Sequence, residues 1–149
     1  MNSSGLTILN GDLFSAQAPA IGHGVNLAGV MGAGIAVQMK RRFPAMFSAY
    51  AKACAHGSLK TGDVLPWRAG GGRWVYNLVT QDKPGPHASL EWVEESVHRA
   101  LDHADQNHVP VLALPMIGCG IGGVEVGGCR SSAQSSSASP CSRTRSLDP

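Results

Sequence analysis

The stretch NLAGVMGAGIAVQMKRRFP runs from Asn26 to Pro44, and its glycine-rich first part is followed by apolar and basic residues at helical spacing. AIGHGV (Ala20–Val25), just before it, is typical of a short strand, and apolar residues at helical spacing predict a helix over Gly34–Arg42. A helix N-terminus offers unpaired N–H groups and a partial positive charge, and glycine lets a ligand approach the backbone closely. Gly32–Gly34 is therefore a candidate phosphate-binding loop. From these residues alone, a close-packed strand-to-helix turn is the alternative.

The rest of the chain alternates between strand and helix patterns. Strands are predicted at Leu6–Leu9, Ala20–Val25, Val64–Trp67, Trp74–Thr80 and Val109–Pro115, and helices at Gly34–Arg42, from Pro44 to a stop at Gly57, and over Leu90–Ala104. This alternation indicates an α/β domain with a mixed, largely parallel central sheet. Ligands of such sheets lie at the carboxyl ends of the strands.

Length and composition set the class of protein. The 149 residues suffice for one domain, and 43% hydrophobic residues with 19 glycines favour a compact domain with many turns. The formal net charge of +2 gives by itself no argument for a nucleic-acid partner. The sequence shows neither a membrane-spanning run nor a signal-peptide pattern, so we expect a cytoplasmic monomer without a membrane partner.

The four cysteines give no sign of a metal site. Cys54, Cys119, Cys129 and Cys141 show no C-x-x-C spacing and no accompanying histidine pair. We therefore expect neither a zinc site nor a disulfide framework, and no cofactor.

A second glycine-rich stretch, LPMIGCGIGGVE (Leu114–Glu125), follows the most apolar predicted strand. Gly118, Cys119 and Gly120 fall where that strand ends, so the two glycine loops can grip a diphosphate from both sides. The first loop is not a dinucleotide-binding fingerprint, because Val37 stands where G-x-G-x-x-G needs a small residue, and the sequence has no Gly-Lys-Ser/Thr triplet that would form a Walker loop.

Five pieces in order make the chain resemble the macrodomain family. They are LNGDLF (Leu9–Phe14), GHGVNLAGVMGAGIAVQMKRRFP (Gly22–Pro44), GDVLPW (Gly62–Trp67), YNLVTQ (Tyr76–Gln81) and LALPMIGCGIGGVE (Leu112–Glu125). The likeness covers most of the chain and is nearest to the branch with terminal ADP-ribose protein glycohydrolase, DNA ADP-ribosyl glycohydrolases and ADP-ribose 1″-phosphate phosphatases. It implies a three-layer α/β/α fold.

The resemblance also implies ADP-ribose as the ligand. Asp12 matches the family aspartate that accepts a hydrogen bond from the adenine amino group, with Leu13 and Phe14 beside the base, and Asn26 lies where the family places a polar group near the distal ribose. The remaining matched positions form the two phosphate loops, which are Gly32, Ala33, Gly34 and Ile35 in the first and Gly118, Cys119, Gly120, Ile121 and Gly122 in the second. His23 is expected to be a structural histidine of a buried strand.

Catalysis is less well supported than binding. The family's catalytic lysine and aspartate positions appear here as Gln81 and Gly122, neither of which can act as nucleophile or base. A hydrolase would have to use a water activated by a ligand phosphate and oriented by Asn26 or Gln81. Two functions stay open: hydrolysis of ADP-ribosyl esters or ADP-ribose 1″-phosphate, and non-catalytic binding of ADP-ribose on protein, nucleic acid or a free metabolite.

The predicted domain ends at Glu125. Residues 126–149 are serine-rich without apolar periodicity and are predicted to form a disordered tail, so the last helix and strand of the fold are expected to be missing. Val126–Arg130 can be encoded so that skipping one base gives Trp-Ala-Asp-Val, a family-like helix start. We therefore interpret the tail as a frameshift product, with an inactive truncated protein as one consequence and a real divergent tail as the alternative.

Overall fold

The computed structural model describes residues 4–115 and 141–147. The strands are β1 (Ser4–Asn10), β2 (Ala20–Val25), β3 (Val64–Arg68), β4 (Trp74–Val79), β5 (Val111–Leu114) and β6 (Cys141–Leu147), and the helices are α1 (Gly34–Arg42), α2 (Pro44–Ala55) and α3 (Leu90–Gln106). Short 3₁₀ turns lie at Leu13–Ser15 and Gly70–Gly72. Across these residues, no helix combines the length and apolar character needed to cross a membrane.

The strands form one mixed sheet in the order β1-β6-β5-β2-β4-β3. β2 pairs in parallel with both β4 and β5, whereas β3 is antiparallel to β4, and β6 is antiparallel to both β1 and β5. β1, β5, β2 and β4 therefore all point the same way, and their carboxyl ends share one edge of the sheet. The predicted α/β/α fold class is confirmed.

Helices cover both faces of the sheet. On one face, α1 and α2 bury Met39, Met46 and Tyr50 against Ile21 and Val79. On the other face, α3 packs on the alternate residues of the same strands, and its buried cluster is Ala20, Tyr76, Leu78, Ala100, Leu101, Ala104, Val109, Leu112 and Leu114. The alternation of side chains along β2 and β4 thus divides the core into two layers.

Gly22 on β2 allows the second layer to close on the sheet. A Cβ there would lie 2.8 Å from Leu114 Cδ2, 3.1 Å from Leu78 Cδ1 and 3.3 Å from the Tyr76 backbone oxygen. Glycine at this position therefore allows β4 and β5 to pack their side chains across β2.

The structure differs from the sequence prediction in the C-terminal segment. Cys141–Leu147, predicted as part of a disordered tail, forms β6 with all seven residues paired to β1 and four of them also paired to β5. Strand pairing uses backbone groups, which a polar sequence such as CSRTRSL supplies as well as an apolar one. Residues 126–140 and 148–149, and with them the expected absence of a closing helix, lie outside the described residues. The frameshift stays a prediction.

Candidate functional site

The shared carboxyl edge of the sheet brings several predicted site residues to one end of the molecule. Asp12 follows β1, Asn26 follows β2 and Gln81 follows β4. Two backbone hydrogen bonds join the β2 and β4 exits, from Thr80 N–H to Val25 O at 3.1 Å and from Leu27 N–H to Asp82 O at 3.2 Å. The second glycine loop, Gly118–Gly122, lies outside the described residues.

Asn26 organises the loop that leaves β2. Its Oδ1 accepts from the Ala28 N–H at 2.9 Å and from the Tyr50 hydroxyl at 2.8 Å, and its Nδ2 donates to the Val30 oxygen at 3.2 Å. The side chain is buried, and both lone pairs of its oxygen are used. One hydrogen on Nδ2 has no partner among the described residues, and this hydrogen is what Asn26 can offer to a ligand.

Tyr50 anchors the same loop from α2. Its hydroxyl lies 2.8 Å from the Asn26 backbone oxygen, 2.8 Å from Asn26 Oδ1 and 3.4 Å from the Val30 oxygen. Burial raises the pKa of the Tyr50 hydroxyl, so it stays protonated and acts as a donor. The helix predicted from Pro44 to Gly57 contains Tyr50, but this role could not be predicted, since helical spacing does not reveal what a hydroxyl contacts.

The first glycine loop leaves the N-terminus of α1 open. The N-cap residue is Ala33, whose side chain cannot cap the helix, and a Cβ at Gly32 or Gly34 would meet no atom of the described residues within 4 Å. Gly34 has φ +61°, which glycine tolerates better than any other residue. Ile35 packs into the core and fixes the helix start. The exposed N–H groups of this turn are suited to a phosphate.

The Asp12–Phe14 turn has one free carboxylate oxygen. Asp12 is exposed, and its Oδ1 accepts from the Phe14 N–H at 3.1 Å and so caps the 3₁₀ turn, whereas Oδ2 has no hydrogen-bond partner among the described residues. Leu13 is fully buried, and only its backbone can serve a ligand. The half-buried Phe14 ring is covered by Arg42, whose Cζ lies 4.2 Å from the ring centroid. The sequence motif around Asp12 does not predict this contact with Arg42.

Gln81 holds the loop after β4. Its Nε2 donates to the Lys83 oxygen at 2.8 Å and to the Gly85 oxygen at 2.9 Å, which uses both amide hydrogens. Its Oε1 has no partner in the part of the chain that the structure describes. Gln81 can therefore accept a hydrogen bond from a ligand or a water molecule, but it cannot donate one without releasing the loop.

His23 lies inside the sheet rather than in the site. Its Nε2 is 2.7 Å from Asn77 Oδ1, and Asn77 Nδ2 donates to the Leu65 oxygen at 3.1 Å. This network assigns the ring hydrogen to Nε2, and the buried Nδ1 has no partner within residues 4–115 and 141–147. Burial lowers the pKa of His23 to about 4, against a smaller opposing effect of the Asn77 hydrogen bond. The ring is neutral and structural.

A cleft elsewhere on the surface is a poorer candidate. It has a volume of about 790 Å³ and is lined by residues 14–19 and 71–73, beside the amino ends of β2 and β4. Arg73 spans part of it by donating to the Ala16 oxygen at 2.8 Å and the Ala18 oxygen at 3.2 Å. Among the described residues that line the cleft, Arg73 is the charged one, and its side chain is thereby committed to backbone oxygens. Apart from Phe14, which also lines the cleft, the candidate site residues lie towards the opposite edge of the sheet.

Comparison with known proteins identifies the family. The family model described as "Macro domain" matches residues 23–133, which is more than half of the chain, and the chain belongs to the macrodomain family. The predicted resemblance is confirmed.

Individual relatives agree with this assignment. The chain is 34% identical over 122 residues to the DNA ADP-ribosyl glycohydrolase of Thermus aquaticus, covering 80% of this chain and 34% of that protein. The macrodomain of Mycobacterium tuberculosis DarG superposes with a TM-score of 0.73 at 31% identity, covering 84% and 87% of the two chains. Thermosipho africanus DarTG in complex with ADP-ribose gives a TM-score of 0.69 at 25% identity, covering 77% and 34%. The chain thus spans about a third of the length of the DNA ADP-ribosyl glycohydrolase that it matches.

Proposed function

We propose that this macrodomain binds ADP-ribose, free or as an ADP-ribosyl group, at the carboxyl edge of its sheet. The observation that carries the proposal is the uncapped N-terminus of α1, where no described residue lies within 4 Å of a Cβ placed at Gly32 or Gly34. Asp12 follows β1, which points the same way as β2, β4 and β5, and this position supports an adenine pocket at the same edge. The similarity to a protein whose structure holds ADP-ribose supports the choice of ligand.

The proposed activity is hydrolysis of an ADP-ribosyl ester or of ADP-ribose 1″-phosphate. Water attacks the anomeric carbon of the distal ribose, the bond to the leaving oxygen breaks, and the proton of the water passes to a ligand phosphate. The free Oε1 of Gln81 accepts from this water and the free Nδ2 hydrogen of Asn26 donates to the ribose. Both groups orient reactants rather than move protons, so positioning is the main catalytic effect.

The alternative is a binding module without turnover. It is favoured by the hydrogen bonds that commit Asn26 and Gln81 to their own loops, because side chains that hold a loop have little freedom to follow a reaction. The relatives named as DNA ADP-ribosyl glycohydrolases favour the hydrolase. Both functions use the same ligand site.

Two measurements, made one after the other, test the proposal. Titration calorimetry with ADP-ribose, ATP and NAD checks the ligand, and the proposal expects saturable binding of ADP-ribose with much weaker binding of the other two. Incubation with glutamate-ADP-ribosylated protein and with ADP-ribosylated DNA then checks the chemistry, because only a hydrolase releases free ADP-ribose. Absence of ADP-ribose binding in a folded protein refutes the proposal. Binding of ADP-ribose without release of free ADP-ribose from either substrate favours the binding module without turnover.

A further inference from the structure

The turn that carries Asp12 is fixed by few contacts of its own. It is one 3₁₀ turn, Leu13–Ser15, in which Leu13 is the buried residue and Asp12 is the N-cap. A Cβ at the preceding Gly11, which is exposed, would meet no atom of the described residues within 4 Å. A turn anchored by Leu13 alone would be free to tilt. The direction of the Asp12 carboxylate therefore depends on what else holds the turn.

Arg42, the last residue of α1, contacts the turn through the ring of Phe14. Its Cζ lies 4.2 Å from the ring centroid, and Arg42 is exposed whereas Phe14 is half-buried. Arg42 has no acidic partner among the described residues. Its guanidinium is therefore free to stay over the ring. Such a contact at an exposed position changes an equilibrium constant by about two- to fivefold.

The contact reaches the Asp12 carboxylate through one residue. The Phe14 N–H donates to Asp12 Oδ1 at 3.1 Å, so the residue whose ring Arg42 covers also holds one carboxylate oxygen. The other oxygen, Oδ2, has no hydrogen-bond partner in the described part of the chain. A carboxylate held at Oδ1 presents Oδ2 in one direction. If Phe14 shifts, this direction shifts with it.

Helix α1 thereby contacts both ends of the proposed ligand site. The phosphate loop, Gly32–Ile35, lies at its N-terminus, and Arg42 lies at its C-terminus. The nine residues of α1 extend over about 13 Å, and a helix is a rigid spacer. As long as Arg42 keeps its contact with Phe14, this one helix sets the position of the base turn relative to the phosphate loop.

We propose that Arg42 is a positioning residue that makes the site selective for an adenine base. The inference rests on the proposed function, because it concerns the base of ADP-ribose. The adenine amino group donates hydrogen bonds, and a carboxylate accepts them. Hypoxanthine, the base of the inosine analogue of ADP-ribose, has a carbonyl oxygen in place of the amino group and a donating ring N–H beside it. A fixed Asp12 carboxylate selects the amino group, whereas one that can turn also accepts from the ring N–H.

The test is titration calorimetry of three single variants with ADP-ribose and with its inosine analogue. Arg42→Gln should lower the ADP-ribose affinity about two- to fivefold and leave the affinity for the analogue unchanged, so the ratio of the two affinities falls by the same factor. Arg42→Lys keeps a cation that can lie over the ring and should restore most of the ratio. The control, Arg41→Gln, removes an exposed cation of the same last turn that contacts no aromatic ring among the described residues. It should keep the parent ratio.

A second background separates the ring contact from the charge of Arg42. In Phe14→Leu the ring is already absent, so adding Arg42→Gln should not change the ratio further. Attraction between Arg42 and the ligand phosphates would instead act on both nucleotides and in both backgrounds.

The outcomes distinguish this inference from the proposed function. If the folded parent protein binds neither nucleotide, the proposed function is refuted and this inference with it. If the parent binds ADP-ribose, four results refute the inference alone: equal affinities of the parent for the two nucleotides, an unchanged ratio in Arg42→Gln, the same loss of ratio in Arg41→Gln, or a further loss in the Phe14→Leu background.

Discussion

The Tyr50 hydroxyl oxygen lies 2.8 Å from two oxygens of one residue, the backbone carbonyl and the side-chain Oδ1 of Asn26. Tyr50 comes from α2, and Asn26 is the first residue after β2. The contact therefore ties a helix of the covering layer to the loop that leads from the sheet to the uncapped N-terminus of α1. The geometry of the proposed ligand site depends on this buried donor.

Tyr50→Phe removes the hydroxyl and keeps the buried ring, so it should loosen the loop without leaving a large cavity in the core. The two Asn26 oxygens lose a donor in a buried place, which costs about 1–3 kcal/mol of unfolding free energy. We expect a lower melting temperature and weaker ADP-ribose binding, measured by calorimetry well below the melting transition. Phe47→Leu, which changes an aromatic ring on the same helix but no bond to the loop, is the control. If Tyr50→Phe binds ADP-ribose with unchanged affinity, ligand binding does not depend on the bond between Tyr50 and this loop.

Asp12 can be tested with a pair of variants, because its two oxygens have different roles. Asp12→Ala removes both the cap on the Phe14 N–H and the proposed adenine acceptor, and Asp12→Asn keeps the cap through its amide oxygen but replaces the acceptor with a donor. Both variants should lose about 1–3 kcal/mol of ADP-ribose binding free energy in calorimetry. If Asp12→Asn binds like the parent, the carboxylate does not recognise adenine.

The phosphate loop can be blocked at Gly32 without straining the backbone. A Cβ at Gly32 meets nothing within 4 Å, and the same holds for Gly70 in the distant β3–β4 turn. Gly32→Val should therefore fold with a melting temperature near that of the parent but lose ADP-ribose binding by at least about tenfold, since a β-branched side chain keeps a phosphate from the N–H groups. Gly70→Val is the matched control and should bind normally. Retained binding in Gly32→Val would refute the loop as a phosphate site.

Local sequence signals predicted the elements that build the described part of the site. Ala20–Val25 and Gly34–Arg42 have the predicted bounds in the structure, because the change from a short apolar run to helical spacing and the intervening glycines are visible within one stretch. The alternation of strands and helices predicted a ligand at the carboxyl ends of the strands, and the macrodomain resemblance added Asp12, Asn26 and Gln81, which follow three of those strands.

Long-range pairing could not be predicted in the same way. β6 pairs with β1 although 130 residues lie between Asn10 and Cys141, and CSRTRSL lacks the apolar alternation by which a strand is recognised. The bonds of the Asn26 and Gln81 side chains were also unforeseen, because a motif gives the position of an amide but not its partners.

Stability should fall as the pH drops below the ordinary histidine value. The pKa of His23 is about 4 in the folded protein and 6.5 in the unfolded chain, so between these values the unfolded state binds more protons. The full contribution of the neutral His23 ring to the free energy of unfolding is present above pH 6.5 and is lost as the pH falls towards 4. By pH 5 the free energy of unfolding should have decreased by about 2 kcal/mol. Urea unfolding across this range measures it. Burial also lowers the pKa of His103, so His103 adds a pH dependence of the same sign. The control is therefore His103→Gln, which removes that contribution and should keep the contribution of His23. A flat profile would show that His23 is not buried as a neutral ring.

The role of β6 can be tested by proline at its centre. Thr144 is paired with Thr7 of β1 and with Ala113 of β5, so its backbone lies between two strands. Thr144→Pro removes the N–H and places a ring inside the sheet, which should lower the unfolding free energy by at least about 2 kcal/mol. Thr144→Ala keeps the backbone donor and should melt close to the parent. Thermal unfolding of the two variants side by side gives the answer: if Thr144→Pro also melts like the parent, residues 141–147 contribute nothing to the folded domain, as expected for a tail.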